Sequence, residues 1–179
     1  MNALQKCLFL IILLPLWIFP AEAKEYEIPQ IQAEFTIASD GTVTVTEHRT
    51  YSFDGSFSWA DYRLPLRGFT AIENIRVSEN GQSYINENSE QPGTFTVSKS
   101  DDRVVIQWFF DADVERRTFT LQYELTGALI SGNEWAEFFW TFMGEDRPKP
   151  TAAFSAEIRF PEAAAPNTLN FWDYTSDDK

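Results

Sequence analysis

The chain has 179 residues, of which 27 are Asp or Glu and 14 are Lys or Arg, a formal net charge of −13. That balance repels polyanions, so it disfavours nucleic-acid binding and a direct grip on anionic lipid headgroups. A single cysteine, Cys7, and a single histidine, His48, exclude multi-histidine metal sites and leave any Ser-His-Asp chemistry with one base.

Residues 1–23 read as a leader. Lys6 gives a weakly positive start, residues 7–19 are an apolar run broken by Pro15, and Ala21-Glu22-Ala23 is an A-x-A cleavage site. The run is shorter than the roughly 20 apolar residues that a spanning helix needs. Export with cleavage after Ala23 is expected, and from Lys24 onward there is no cysteine. Such a domain has no disulfide to lean on and must hold itself by burial, which its length permits.

Alternation then dominates the chain. Ile31, Ala33, Phe35 and Ile37 mark a first strand, and the Ser39-Asp40-Gly41 turn leads into a second over 42–53, so the two predict an antiparallel hairpin. In the second strand Val43, Val45, Tyr51 and Phe53 share one parity, and Glu47 and Arg49 lie on that same apolar row. Charges on a core-facing row need partners. After Asp54-Gly55-Ser56, residues 57–65 read as a short aromatic link closed by Pro65 and Gly68. Ile75 and Val77 mark a strand that turns at Asn80-Gly81, a two-residue hairpin signal, and the return arm includes Tyr84.

The polar run 86–93 reads as a loop, and Phe95 and Val97 as a short strand. Residues 103–110 are apolar on both faces, which predicts a central strand. Phe119, Leu121, Tyr123 and Leu125 alternate with polar residues, as do Phe138, Trp140 and Phe142, and then Phe154, Ala156, Ile158 and Phe160. One helical turn fits at 133–137, where Asn133 can act as its cap. With no longer helix in view, the pattern predicts an all-β, antiparallel two-sheet sandwich of eight or nine strands over 24–161. A partly closed β-barrel is the alternative that periodicity does not separate. Residues 162–179 read as a linker-like, acidic and aromatic end.

Several constellations are candidates for chemistry. Glu47 on the buried row is expected to pair with Arg63, which would pin the 59–65 segment over the sheet. Arg49 is left with another strand acid, Glu34 or Glu124, as its expected partner. Asp111, Asp113 and Glu115 place oxygens at alternate positions as calcium loops do, but lack the glycine and terminal acid of an EF-hand, so a solvated turn is the simpler reading. Trp59, Trp135, Trp172 and Tyr174 fall in links or loops where exposed rings would suit a sugar, although capping of the core ends is the simpler reading. His48 sits on the polar parity and reads as a surface residue. No cofactor is implied.

Three of these stretches together resemble a known family. D-G-T-V-T-V-T-E at 40–47, the Y-x-F-x-G and Y-R-x-P runs between Tyr51 and Pro65, and E-F-F-W-T-F-M-G at 137–144 occur in that order after a leader. They are similar to the bacterial family catalogued as domain of unknown function 2207, and Trp108-Phe109-Phe110 followed by the run from Arg117 to Tyr123 fits the same pattern. The resemblance covers most of 31–161. It implies an exported β-rich ectodomain that precedes transmembrane helices and a low-complexity tail, and it carries no established activity. The sequence stops at Lys179 without an apolar span, so a truncated member or a free soluble form is expected, with one sheet edge unpaired if final strands are missing.

The function expected on these grounds is an exported, envelope-associated binding or interaction module. Its place would be periplasmic, secreted or on the outer face of the cytoplasmic membrane, and its partner an envelope protein or glycan. The alternative is a carbohydrate-binding or carbohydrate-active sandwich.

Overall fold

The computed structural model describes residues 24–132, 135–140, 149–161 and 170. The expected leader, the candidate cap Asn133, Phe142, and the aromatics Trp172 and Tyr174 lie outside the described residues. Within them, β1 (Glu25–Ile37) and β2 (Val43–Asp54) form the expected hairpin, with the Asp40 carboxylate accepting from the Thr42 amide at 2.9 Å in the turn. β2 pairs on its other side with β9 (Arg116–Thr126), β9 with β4 (Ala71–Glu79), and β4 with β5 (Gln82–Ser83). β12 (Thr151–Arg159) runs parallel to β1, which completes a sheet of order β12-β1-β2-β9-β4-β5. The second sheet has the order β3-β8-β7-β6, from β3 (Phe57–Pro65), β8 (Arg103–Ala112), β7 (Thr94–Lys99) and β6 (Ile85–Asn86). A separate two-stranded sheet joins β10 (Leu129–Ser131) to β11 (Ala136–Phe138).

The two larger sheets face each other as a sandwich, and neither closes into a barrel. Phe110 of β8 meets Phe119 of β9 with ring centroids 4.7 Å apart, and Phe53 of β2 meets Phe110 at 5.3 Å. The buried rows are those the alternation marked: Val43, Val45, Tyr51 and Phe53; Phe119, Leu121, Tyr123 and Leu125; Val104, Ile106, Trp108 and Phe110. Each large side chain so placed contributes about 1.5–3 kcal/mol. β8, apolar on both faces, is central as expected, between β3 and β7.

The structure differs from the expectation in detail. The described residues hold twelve strands, several of only two or three residues, and two pairs are parallel, β1 with β12 and β6 with β7. More than a hundred residues separate β12 from β1, whereas only residues 87–93 lie between the very short β6 and β7. Residues 57–65 are a full strand rather than a link, and 136–138 are extended rather than helical.

Bulges correct the phase where strict alternation fails. Pro29 has no amide to give the ladder, the β1–β2 register shifts between Glu27 and Gln30, and Ile28 and Ile31 are both buried despite opposite parity. In β4 the shift lies between Glu73 and Arg76, where Asn74 takes φ 52° and donates to Glu124 at 2.6 Å. Ile72 and Val77 are thereby both buried.

The Asn80-Gly81 hairpin forms as expected, with φ of 49° and 79°. No atom lies within 4 Å of the position a Gly81 Cβ would take, so only backbone conformation resists a side chain there. Gly81→Ala is expected to lower stability by about 1–2 kcal/mol, measured by urea unfolding, with no change in the slope of the transition.

Candidate functional site

Glu47 and Arg49 sit two residues apart on the inward row of β2, 4% and 6% exposed, and they pair with each other. The Arg49 Nε and Nη2 groups donate to Glu47 Oε2 at 2.9 and 2.6 Å. The other carboxylate oxygen, Oε1, accepts from the Tyr123 hydroxyl of β9 at 2.6 Å. From the second sheet, the ring of Tyr62 on β3 lies under the guanidinium, 3.7 Å from centroid to Cζ, and its hydroxyl interacts with Glu47 and Tyr123. Both sheets therefore close on one buried ion pair. Burial is the largest single influence on Arg49 and works against its charge, but Glu47, Tyr62 and Tyr51 together outweigh it and the arginine pKa is raised. Burial, reinforced by the Glu47 charge, pushes the Tyr62 and Tyr123 phenols upward.

The expected Glu47–Arg63 pair is not formed. Arg63 is on the outward row of β3 with Trp59 and Asp61, is exposed, and donates from Nε to Asp61 Oδ2 at 2.8 Å. Its neighbour Tyr62 takes the inward position. The 59–65 segment does lie over the buried row of the first sheet, but a ring holds it there rather than a guanidinium.

A second charged cluster closes the other edge of the first sheet. Glu79, at the end of β4, is 8% exposed. Its carboxylate accepts from Arg117 Nε at 2.6 Å, from Arg117 Nη2, and from the Tyr84 hydroxyl at 3.0 Å. Arg117 Nη1 donates to the carbonyl of Asp111. The hydrogen bonds that Arg117 donates to Glu79 are the first cause of its raised pKa, whereas burial and then the Glu79 charge raise that of Tyr84. These residues and Phe110 border an open cleft of about 400 Å³. Each of the three Arg117 nitrogens and the Tyr84 hydroxyl donates a hydrogen bond here, so the cluster ties β4 to β9 and β8. Sequence reasoning missed it, although Glu79 shares the parity of Val77 and Arg117 that of Phe119. A charge on an apolar row was the available signal.

The remaining candidates are dispersed. Asp111, Asp113 and Glu115 are exposed, Glu115 lies 3.6 Å from Arg117, and no metal-holding group of three or more such side chains occurs among the described residues. Trp59 is 50% exposed on β3 and Trp135 is 58% exposed beside β11, and no ring contact joins them among the described residues. His48 is half-buried on the outer face of β2, 2.9 Å from the Thr120 hydroxyl. No helix among the described residues is long and apolar enough to cross a membrane.

A family model described as "Predicted membrane protein (DUF2207) N-terminal domain" matches residues 27–179. No curated protein matches the sequence. Among solved structures, an M1 zinc metallopeptidase mutant from Deinococcus radiodurans bound to a Tyr-Ser-Ala substrate is similar at 13% identity and a TM-score of 0.36. That similarity covers 59% of this chain and 22% of the peptidase. A two-domain M1 zinc metallopeptidase mutant bound to L-tryptophan is similar at 13% identity and a TM-score of 0.36, over 60% of this chain and 22% of its own.

Two predictions rest on this geometry. Arg49→Met leaves the Glu47 carboxylate buried without its counter-charge and is expected to cost about 3–5 kcal/mol, most of it recovered when Glu47→Met is added. Arg63→Ala is expected to change stability by less than about 1 kcal/mol, because its pair is exposed. Chemical denaturation of the four proteins measures both effects. A third prediction concerns alkaline pH. Tyr26, Tyr51, Tyr62, Tyr84 and Tyr123 all have folded pKa values raised above the ordinary 10.0, with burial the first cause of each. Their contribution is complete below pH 10 and is lost as pH climbs beyond it, since the unfolded chain then releases protons that the folded chain retains. Melting temperature is expected to fall above about pH 10, and phenolate absorbance to rise together with unfolding rather than before it.

Proposed function

The chain belongs to the DUF2207 family of predicted membrane proteins, as its N-terminal domain, and we propose that it is an extracytoplasmic binding or interaction module of the bacterial envelope. The leader-like residues 1–23 support export, and the family supports a setting in which anchored relatives present the same domain at a membrane. The observation that carries the reading is a short hairpin, β10–β11, that leaves Ile130, Trp135 and Phe139 at 60%, 58% and 53% exposure. Large apolar groups concentrated on one exposed element mark a contact surface more often than chance scatter does.

A carbohydrate-binding reading draws on a different place. The half-exposed ring of Trp59 stands on the outer row of β3 beside Asp61 and Arg63, an apolar face with polar groups at its edge. Photo-crosslinking in the producing cell separates the two readings. A photoreactive residue at Ile130 is expected to give an ultraviolet-dependent adduct with an envelope protein, and one at the exposed Gln82 of β5 none. An adduct with glycan at Trp59 alone supports the carbohydrate reading instead. A chain retained in the cytoplasm, or no adduct at either position, overturns both.

A further inference from the structure

The register of β10 and β11 decides what the hairpin presents. Leu129 stands opposite Phe138, Ile130 opposite Glu137 and Ser131 opposite Ala136, and the Gly132 amide donates to the Trp135 carbonyl at 2.9 Å. Directly opposed residues of an antiparallel pair share a face. One face thus carries Leu129 and Phe138, which pack on the core. The Phe138 and Trp140 rings lie 5.6 and 5.8 Å from Phe35, and Trp140 lies 6.1 Å from Phe69. The opposite parity carries Ile130, Trp135, Glu137 and Phe139. Half of the six exposed large hydrophobics among the described residues fall on this one face, whereas Trp59, Ile85 and Val114 are scattered.

The charges decide what fits it. Glu137 lies directly across from Ile130, within the apolar group rather than at its margin. Asp40 precedes Gly41, whose Cβ position would lie 3.6 Å from Leu129, and Arg67 precedes Gly68 beside the Phe139 carbonyl. With Glu137, these three described charges sum to −1, and the chain as a whole carries −13. A bilayer surface would have to desolvate Glu137 without compensating it, and anionic headgroups would be repelled. A polypeptide with apolar side chains flanking a cation satisfies both features.

We propose that the outer face of the β10–β11 hairpin docks a polypeptide segment that sets apolar side chains against Ile130, Trp135 and Phe139, and a lysine or arginine against Glu137. The proposal rests on the interaction-module reading and adds the chemistry of the partner. A patch of this size belongs to weak, transient interfaces rather than obligate ones.

The test uses the full chain and immobilised synthetic peptides in which leucine and phenylalanine flank one central lysine, with a matched set carrying glutamate in its place. Phosphatidylcholine and phosphatidylglycerol vesicles, and sedimentation of the chain alone, complete it. Retention on the lysine set, weakened about tenfold by Ile130→Ser or Phe139→Ser, is expected. Glu137→Lys, an exposed substitution that leaves the core untouched, is expected to reverse the preference toward the glutamate set. Equal retention on both sets, a preference unchanged in Glu137→Lys, no retention, uptake by vesicles, or self-association lost in Ile130→Ser each overturns the inference. A crosslink at Ile130 that persists alongside such a result leaves the interaction-module reading standing and removes only the partner chemistry. Absence of the crosslink removes the reading itself.

Discussion

The sandwich is organised around a buried carboxylate. Glu47 sits on a row otherwise made of Val43, Val45, Tyr51 and Phe53, and removing its charge from solvent costs several kcal/mol unless partners replace the lost hydration. Arg49 supplies the opposite charge from the same strand, Tyr123 a hydroxyl from β9, and Tyr62 a ring and hydroxyl from the second sheet. The arrangement has a directional consequence that an all-apolar core lacks. A one-residue slip of β2 against β9 would turn the whole inward row outward, separating Glu47 from Tyr123 and moving the aromatics into water. Apolar burial sets how strongly the sheets attract; the ion pair penalises the wrong register.

The same logic recurs at the β4 edge, where Glu79 binds Arg117 and Tyr84, and the two clusters bracket the aromatic centre formed by Tyr51, Trp108, Phe110 and Phe119. In both, a strand-borne acid is held by an arginine and at least one tyrosine. Glu47 with Arg49, and Glu79 with Arg117, thus pair within their own clusters. Exposed apolar side chains among the described residues gather instead at the β10–β11 hairpin. A two-stranded sheet is marginal by itself, so its geometry depends on Leu129 and Phe138 seating against the core. That seating is also what turns Ile130 and Trp135 outward.

Much of the fold was legible before any coordinates, because period-2 alternation reports burial directly. The rows of β2, β8 and β9 and the turns at Gly41 and Gly81 appear in the structure where the pattern placed them. Departures come where alternation breaks. Pro29 and Asn74 insert bulges that re-phase a strand, and no count of apolar residues announces on which side the phase resumes. The candidate site was half legible. That Glu47 needs a buried partner follows from its parity, whereas the Y-R-x-P run offers a charge, Arg63, without showing which of its residues points inward. Arg63 is one residue out of phase with the core, and Tyr62 is in phase.

What the amino-acid sequence by itself determined is therefore what depends on near neighbours: the strands, their inward faces, the tight turns, the acidic exterior, and the presence of charges on a buried row. Tertiary structure alone decided which residues those charges meet, that β12 returns parallel to β1, and that Trp135 faces outward while Trp140 faces in. The reason is physical. Alternation is a property of one strand, fixed by backbone geometry over a few residues, whereas pairing depends on which strand arrives opposite and in which register. Those outcomes are set by contacts between segments far apart in the chain, and short-range pattern carries no record of them.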